Sequence, residues 1–380
     1  MAHMDTLNDE FYMKLAVQMA ASAQGQTGVN PVVGCVLVKD GRVVGMGAHL
    51  QMGTAHAEVH ALDMAGALAE GATAYVTLEP CSHHGRTPPC AERLIADRVK
   101  RVVIATTDPN PLVAGRGVEL LRAHGVQVDV GVMEAEAREL NEAFNKYIVT
   151  RMPFVTLKTA STLDGKIATR TGQSKWISGE ASREAVHTLR HRHQAIMVGA
   201  TTVALDDPQL TTRLPVPGLH PIRVVVDSTL RIPLDARVVT DGLAPTIVLT
   251  TERAAPAKAA ALAARGVTVL RCGDAPRVDL ALAMRALSER EIGSVLLEGG
   301  GQLNGAMLSA RLVDKIVMFI APKIVGGASA PGSFSFEGYD SMDEAVVLDR
   351  VAMKPYGEDL CLSGYPRYAE RASVTSKEVE

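Results

Sequence analysis

The sequence predicts two consecutive α/β domains. The chain has 380 residues, and at about 100–200 residues per domain this length corresponds to two domains. In both halves, short β-branched runs alternate with segments whose apolar residues recur at helical spacing, which is typical of α/β folds. Met152-Pro153 interrupts this alternation, which then starts again. We therefore predict domains at 5–150 and 151–368, and a polar, disordered tail at 369–380.

The first half reads as a mixed series of five strands and five helices. The turn Lys39-Asp40-Gly41 predicts a hairpin between the first two strands, and Gly125 is a typical helix stop. The predicted strands are 32–38, 42–47, 73–78, 101–106 and 126–130. The predicted helices are 8–24, 58–68, a short one near Cys90, 118–124 and 134–148.

The second half repeats the alternation but ends differently, on a predicted antiparallel pair. Its predicted strands are 154–160, 195–199, 222–227, 246–250, 267–271, 294–298 and 316–321. Its predicted helices are 180–191, 256–265, 280–289 and 303–309. The closing pair is 345–353 and 359–364, joined by 354–358.

Composition excludes several classes of protein. A formal net charge of −3 provides no basic field for nucleic acid, and no apolar run approaches the roughly 18 residues of a membrane span. Five cysteines without a secretion signal do not make a disulfide framework. We therefore expect a cytoplasmic enzyme that acts on a small molecule, without nucleic-acid or membrane partners. Clustered cysteines in such a protein are metal ligands or catalytic groups.

One histidine and two cysteines form a candidate zinc site in the first half. His56, Cys81 and Cys90 are suitable zinc ligands, and three protein ligands leave a fourth tetrahedral position for water. Glu58, two residues after the histidine, could move a proton from that water to a departing amine. This order of residues is the pattern of zinc deaminases. Here, however, residues 82–89 separate the cysteines, so this segment must loop out and return.

Less specific interpretations of these residues stay open. A single buried cysteine is usually a small core residue, so only the set predicts metal. A purely structural zinc site would need a fourth ligand, for which His60, His83 and His84 are available. Glu79 follows a strand beside Pro80, which favours a positioning role.

The second half contains weaker signals. The segment 298–304 follows a strand and opens a helix, as a phosphate-binding loop does, but an unliganded turn is equally consistent. Trp176 could flank a nicotinamide or lie in the core. Asp206-Asp207-Pro208 could be a pair of acids, but the sequence is more typical of a turn. Arg190 and Arg213 could clamp a phosphate or be solvated, and we interpret most of the basic run 190–193 as structural.

Motifs in both halves resemble the bifunctional riboflavin biosynthesis proteins. In the first half these are Asn30-Pro31-x-Val33-Gly34, Gly47-x-His49, His56-Ala57-Glu58 and Glu79-Pro80-Cys81-Ser82-His83-His84-Gly85-Arg86-Thr87-Pro88-Pro89-Cys90. In the second half they are Thr162-Leu163-Asp164-Gly165-Lys166, Ser174-Lys175-Trp176-Ile177, Asp206-Asp207-Pro208-x-Leu210-Thr211, Glu298-Gly299-Gly300 and Ala321-Pro322-Lys323. The eight-residue cysteine spacing is the one that this family shows. The resemblance covers almost the whole chain.

The resemblance implies a cytidine-deaminase-like α/β/α sandwich followed by a dihydrofolate-reductase-like α/β domain. It also implies two reactions. The first is hydrolytic deamination of 2,5-diamino-6-ribosylamino-4(3H)-pyrimidinone 5′-phosphate. The second is reduction by NADPH to 5-amino-6-ribitylaminouracil 5′-phosphate. One zinc ion per chain and a dimer or tetramer are further implications.

Site residues follow from the same resemblance. It makes His56, Cys81 and Cys90 the zinc ligands and Glu58 the proton carrier. The implied substrate contacts are Asn30, His49, Arg86, Asp108, Asn110, Lys158, Ser174, Arg190, Leu210, Arg213 and Glu298. The implied NADPH contacts are Ala160, Trp176, Thr202, Asp206, Ser228, Gly300, Gly301, Gln302, Leu303 and Asn304.

Two other functions compete with this prediction. One is a zinc deaminase of a nucleoside or tRNA base with a C-terminal recognition domain, which the absence of a basic strand-binding pattern disfavours. The other is a non-enzymatic binding module with structural zinc.

Overall fold

The computed structural model describes residues 6–82, 88–110 and 113–369. Two compact units make up the chain. The first comprises Met1–Phe154 with Leu287–Ser294, and the second comprises Val155–Ala286 with Val295–Glu380. The expected disorder of the tail concerns residues that, apart from Ala369, lie outside the described part. Within that part, no helix has the length and apolar character needed to span a bilayer.

A five-stranded sheet forms the centre of the first unit, in the order β2-β1-β3-β4-β5. Its strands are β1 (Gly34–Lys39), β2 (Arg42–Ala48), β3 (Thr73–Leu78), β4 (Arg101–Thr106) and β5 (Gln127–Val130). Its helices are α1 (Asp9–Ala21), α2 (Ala57–Ala65), α3 (Cys90–Ala96), α4 (Arg116–Ala123), α5 (Glu134–Leu140) and α6 (Glu142–Thr150), with a 3-10 turn at Gly66–Ala69. β1 pairs antiparallel with β2 and β3, so the predicted hairpin is confirmed.

The strand alternation creates three layers. On β1, Cys35 and Leu37 belong to one apolar cluster with residues of α2, α3 and α4. Val36 and Val38 point the other way and join a cluster with α1 and α5. Gly47 on β2 permits a close approach of α2, since a Cβ there would lie 2.2 Å from the Ala57 carbonyl oxygen. The glycine thus lets the helix that carries Glu58 rest against the sheet.

The predicted single helix at 134–148 is wrong, because α5 ends at Leu140 and α6 begins at Glu142. Asn141 lies between them and is buried. Its side-chain oxygen accepts a hydrogen bond from the Val32 backbone N–H at 2.8 Å, and its amide donates to the Val32 carbonyl at 2.9 Å. This contact across 109 residues fixes the backbone next to Asn30, and no local sequence pattern reveals it.

A nine-stranded sheet forms the second unit, in the order β10-β9-β8-β7-β11-β6-β12-β14-β13. Its strands are β6 (Phe154–Thr162), β7 (Ala195–Gly199), β8 (Ile222–Val226), β9 (Thr246–Thr250), β10 (Thr268–Arg271), β11 (Ser294–Leu297), β12 (Lys315–Ala321), β13 (Val347–Tyr356) and β14 (Asp359–Arg367). Its helices are α7 (Glu180–Arg192), α8 (Ala200–Asp206), α9 (Arg237–Thr240), α10 (Pro256–Ala263), α11 (Leu280–Ser288) and α12 (Gly301–Ser309), with a 3-10 turn at Met342–Glu344.

Most of this sheet is parallel. The strands β7 to β11 pair in parallel with one another, and β6 pairs parallel with β12. The predicted closing hairpin is confirmed, since β14 pairs antiparallel with both β12 and β13. The sequence analysis missed α8 and α9, which are too short for a helical period to be recognised.

Candidate functional sites

The structure brings the three predicted metal ligands of the first unit together. His56 caps the start of α2, Cys81 follows β3 and Cys90 opens α3. The His56 Nδ1 atom lies 3.2 Å from the Cys90 Sγ and 3.6 Å from the Cys81 Sγ. The backbone N–H of Ala91 donates to the Cys81 carbonyl at 3.1 Å, so the two ends of the intervening segment lie next to each other.

These donor atoms fit a tetrahedral zinc ion. All three lie within 4.8 Å of one another. Zinc bonds of about 2.3 Å to sulfur and about 2.0 Å to nitrogen place neighbouring ligand atoms roughly 3.6 Å apart. The two nitrogen–sulfur distances given above are close to that value. The Cys90 thiol and the His56 ring hold the pKa of Cys81 well below its usual range, so a thiolate is available as a ligand.

Among the described residues, His56, Cys81 and Cys90 form the only group of three or more side chains arranged to hold a metal. His60 is not part of that group. The other two candidates for a fourth ligand, His83 and His84, lie outside the described residues. The described residues therefore supply three ligands, the number that leaves a fourth tetrahedral position for water or substrate.

Glu58 lies in the first turn of α2 and is 3% exposed. Burial, with a further contribution from Cys81, raises the pKa of Glu58 to about 7. An interaction with the Cys90 thiol lowers the pKa of Glu58 slightly, but it is the smallest of the effects on this carboxyl group. The structure thus places the Glu58 carboxyl group close to the two cysteine side chains, as the order of the motif predicted.

Two predicted substrate contacts border the metal ligands. The rings of His49 and His56 meet edge to face, with centroids 5.4 Å apart. Asn30 lies 3.5 Å from the Nε2 atom of His49, measured from its side-chain nitrogen. His49 is buried, and burial lowers its pKa, so the neutral ring is favoured. Two neutral polar side chains, Asn30 and His49, therefore lie beside the candidate metal site.

Glu79 acts as an anchor for the chain that follows β4. Its buried carboxylate accepts hydrogen bonds from four backbone N–H groups, which belong to Asp108, Gly115, Gly117 and Val118. These are the donors of a loop and of the start of α4. The positioning role expected for Glu79 agrees with this geometry.

The segment held by Glu79 carries two more predicted substrate contacts. The Asp108 side chain accepts a hydrogen bond from the Asn110 backbone N–H at 2.8 Å, and the Asn110 carbonyl accepts from Val113 and Ala114. Asp108 and Asn110 therefore lie on a segment that is held by Glu79, which directly precedes Pro80-Cys81. The predicted contact Arg86 lies outside the described residues.

We expect Glu79→Gln to weaken this loop. The substitution turns one acceptor oxygen into a donor, which leaves backbone N–H groups without a partner at a cost of about 1–3 kcal/mol. Deamination should lose affinity for its substrate, measured as a raised KM, while the activity of the second unit stays unchanged. Glu70→Gln is a matched control, because Glu70 forms only an exposed ion pair with Arg98. An unchanged KM in Glu79→Gln would contradict the anchoring role.

In the second unit, three predicted substrate contacts form one buried ionic cluster. Glu298 accepts from the Arg190 Nε and Nη2 atoms at 2.7 and 3.1 Å and from the Lys158 Nζ at 3.3 Å. These side chains are only 10–14% exposed. Burial would raise the pKa of Glu298, but Arg190 and Lys158 outweigh it and hold that pKa well below its usual range. The cluster therefore has two cations and one anion.

The remaining predicted substrate contacts divide into two groups. Arg190 also donates to the Thr211 carbonyl at 3.0 Å, and the Arg213 guanidinium donates to the Thr211 hydroxyl at 3.4 Å. Leu210 directly precedes them, buried and with a positive φ of 55°. The structure thus brings Leu210 and Arg213 to the cluster. Ser174 lies on the segment between β6 and α7, and among the described residues it forms no hydrogen bond or ion pair with the cluster.

Several predicted NADPH positions follow the carboxyl ends of strands, where open α/β sheets bind ligands. Thr202 and Asp206 lie on α8 directly after β7, and Ser228 follows β8. Gly300 caps α12 after β11, and Ala160 lies near the end of β6. The other positions predicted on this loop, Gly301, Gln302, Leu303 and Asn304, form the first turn of α12.

The segment Gly300–Asn304, which comprises the N-cap and the first turn of α12, has features of a ligand cradle. The Asn304 Oδ1 atom is buried and has no hydrogen-bond partner among the described atoms. A Cβ at Gly299 would lie 2.9 Å from that oxygen, so only glycine leaves the space beside it. A Cβ at Gly301 would lie 2.4 Å from the Gly332 carbonyl oxygen. Glycines here permit backbone close to backbone, as a phosphate-binding turn requires.

Trp176 is a surface residue, with 65% of its area exposed, so the core alternative is wrong. The Arg183 guanidinium lies 4.8 Å from the centre of its ring. Lys323 donates to the Trp176 and Ile177 carbonyls at 2.9 and 2.8 Å. The contacts that Arg183 and Lys323 make with the Trp176 segment were not predicted from the sequence. Lys323, however, belongs to the Ala321-Pro322-Lys323 motif.

Two family models match the chain. The cytidine and deoxycytidylate deaminase zinc-binding region matches residues 6–106, and the RibD C-terminal domain matches residues 153–362. Among curated proteins, the riboflavin biosynthesis protein RibD of Bacillus amyloliquefaciens is 45% identical over 359 residues, which cover 94% of this chain and 96% of the relative. RibD of Aquifex aeolicus is 47% identical over 354 residues, or 93% and 97% of the two chains.

Solved structures agree with this result over nearly the full length. Acinetobacter baumannii RibD superposes with a TM-score of 0.84 at 39% identity, covering 94% of this chain and 99% of that one. A Thermotoga maritima protein described as a diaminohydroxyphosphoribosylaminopyrimidine deaminase/5-amino-6-(5-phosphoribosylamino)uracil reductase gives a TM-score of 0.81 at 37% identity, with the same coverage.

These matches confirm the predicted fold class, a cytidine-deaminase-like α/β/α sandwich followed by a dihydrofolate-reductase-like α/β domain. They do not favour a nucleoside or tRNA-base deaminase, because both halves match the same two-activity proteins. The chain therefore belongs to the RibD family of bifunctional riboflavin biosynthesis proteins, which combine a deaminase and a reductase.

Proposed function

We propose that the first unit deaminates 2,5-diamino-6-ribosylamino-4(3H)-pyrimidinone 5′-phosphate and that the second reduces the product with NADPH. The ribosylamino group then becomes ribitylamino, which gives 5-amino-6-ribitylaminouracil 5′-phosphate. The observation that carries the proposal is the convergence of His56, Cys81 and Cys90 beside Glu58, in a chain whose other half matches a reductase domain.

His56, Cys81 and Cys90 would hold one zinc ion per chain. When bound, zinc supplies the Lewis acidity that makes water nucleophilic near neutral pH. Glu58 takes a proton from that water and delivers it to the amine that departs as ammonia. His49 and Asn30 orient the pyrimidine, because neutral donors and acceptors suit its ring nitrogens and oxygen. We assign the contacts with the ribose phosphate to Asp108 and Asn110, and the family resemblance adds Arg86 as a further substrate contact.

In the second unit, NADPH would supply the hydride. The segment Gly300–Asn304, at the start of α12, would receive its phosphates, since backbone N–H groups and a helix N-terminus favour anions. Thr202, Asp206 and Ser228 would line the same edge, with Ala160 and Trp176 next to the nicotinamide. These residues bind and orient the cofactor, and none of them needs to ionise for hydride transfer.

The ionic cluster would hold the substrate of the reductase. Its excess positive charge from Lys158 and Arg190, with Arg213 nearby, suits a phosphorylated pyrimidine. Glu298 balances the two buried cations, and Leu210 and Ser174 complete the proposed contacts. A homodimer or tetramer and a cytoplasmic location stay predictions.

A coupled assay tests the proposal. With the diaminopyrimidine substrate alone, the enzyme should release ammonia, because deamination does not require NADPH. Adding NADPH should produce one NADPH oxidised per ammonia released, and NADH should be a poorer donor. Removal of zinc by a chelator should stop ammonia release but leave reduction of separately prepared deaminated product intact. Steeply salt-dependent tRNA binding would instead favour the tRNA-base alternative.

A further inference from the structure

Three histidines of the second unit accept backbone hydrogen bonds from one loop. The loop, residues 207–221, connects α8 to β8 and carries the proposed substrate contacts Leu210 and Arg213. His187 accepts from the Arg213 N–H at 3.2 Å, and His191 accepts from the Leu219 N–H at 3.0 Å. His220 accepts from the Thr212 N–H at 3.3 Å. In each case the acceptor is the Nδ1 atom.

An imidazole nitrogen that accepts a hydrogen bond belongs to a neutral ring, whose proton is on the other nitrogen. The surroundings of His187 favour this state. Burial, Arg190 and Arg213 lower the pKa of His187 to about 4. Lys158 acts in the same direction, whereas Glu298 acts in the opposite one. The ring is thus a neutral acceptor in a positively charged region.

Helix α7 therefore forms two hydrogen bonds with the part of this loop that carries the proposed substrate contacts. Arg190 donates to the Thr211 carbonyl and His187 accepts from the Arg213 N–H. These contacts lie on both sides of Thr212 and fix the direction in which the Arg213 side chain leaves the backbone. His191, one helical turn further on, holds the distant end of the loop at Leu219.

We propose that His187 is a positioning residue for the reductase substrate, acting through Arg213. It sets the backbone from which the Arg213 guanidinium reaches the phosphorylated pyrimidine. The proposal rests on the proposed reductase function, and it goes beyond the contacts that the family resemblance implies, since His187 is not among them. Its effect should be confined to one of the two reductase substrates.

The decisive variants differ in the acceptor at the Nδ1 position. His187→Leu removes it, whereas His187→Asn keeps an oxygen acceptor at nearly the same place. Loss of a hydrogen bond that orients a charged contact should raise the KM for the deaminated pyrimidine about 10–100-fold, while the KM for NADPH and kcat change little. His187→Asn should restore most of the affinity. Deaminase activity of the same chains verifies folding of the first unit.

His191→Leu is the matched control. It removes an equivalent acceptor from the same helix and loop, so it should share any general loss of stability but leave the KM for the pyrimidine unchanged. If His187→Leu does not fold, His187→Gln replaces it, because its amide lies at the Nε2 rather than the Nδ1 position.

Three results would overturn the proposal: an unchanged pyrimidine KM in the Leu or Gln variant, an equal rise in both KM values, or no rescue by His187→Asn. The wild-type enzyme separates this failure from failure of the proposed function. If the wild-type enzyme does not reduce the deaminated pyrimidine with NADPH, the proposed function itself is wrong.

Discussion

Glu58→Gln is expected to abolish ammonia release almost completely, with deaminase kcat falling by about 10²–10⁴-fold. Glutamine has the same shape but cannot accept and return a proton. Because Glu58 is 3% exposed, removing its buried charge should leave the stability of the unit unchanged or slightly higher. Zinc content and reduction of supplied deaminated product should remain at wild-type levels. The measurements are ammonia release, metal content and NADPH oxidation on one preparation.

Asp63→Asn provides the matched control for that experiment. Asp63 lies on the same helix, α2, but is exposed and pairs with Arg93 at the surface. It should deaminate at the wild-type rate. If Glu58→Gln also deaminates at the wild-type rate, Glu58 does not carry the proton. A variant that loses zinc together with activity would show a structural role instead.

The second large effect is expected for Glu298→Gln, which leaves Lys158 and Arg190 buried without their counter-charge. Breaking a buried ion pair in this way costs about 3–5 kcal/mol. For a unit of this size, that corresponds to a decrease in melting temperature of roughly 6–20 °C. Reductase activity should fall with it, because the two cations rearrange when their shared carboxylate is lost. Thermal unfolding and NADPH oxidation measure the two effects, and deamination should persist.

Asp349→Asn is the control, since Asp349 pairs with Arg367 at the surface with half or more of each side chain exposed. Such pairs contribute about 0–1 kcal/mol. Equal effects in the two variants would mean that burial of the Glu298 cluster has no energetic consequence.

The same cluster has a defined pH dependence. The folded-state pKa of Glu298 lies below its unfolded value, so the stability that it contributes is complete above the ordinary carboxyl pKa. That stability is lost as the pH falls toward the depressed folded pKa. The free energy of unfolding of the Glu298→Gln variant, measured as a function of pH, should therefore fall less steeply toward acid than that of the wild-type protein.

The sequence was sufficient for the parts of the fold and the sites that depend on local pattern. The strands at 73–78, 101–106, 195–199 and 246–250 have the predicted limits, because β-branched runs and flanking turns define them locally. The order of His56, Glu58, Cys81 and Cys90 predicted their convergence, since the chemistry of zinc demands few residue types at limited spacings.

Contacts that depend on distant backbone could not be predicted. The break at Asn141 exists because its amide finds Val32, and helix propensity carries no record of that partner. Likewise, Glu79 is just one acid after a strand until the fold brings four N–H groups to it. Judged from the sequence alone, Arg190 is a solvated surface charge. Its buried ion pair with Glu298 shows that it is not, and this pair depends on residues 108 positions apart.

The strand order of the nine-stranded sheet has a consequence for biosynthesis. Of the strands in this sheet, β6 is synthesised first. Its neighbours in the sheet are β11 and β12, which begin much later in the chain, at Ser294 and Lys315. At about 5–20 residues per second, an apolar strand waits on the order of ten seconds on the ribosome before either partner emerges. The unpaired strand is most prone to aggregate during this interval, so the nascent chain needs a chaperone more than the folded enzyme does.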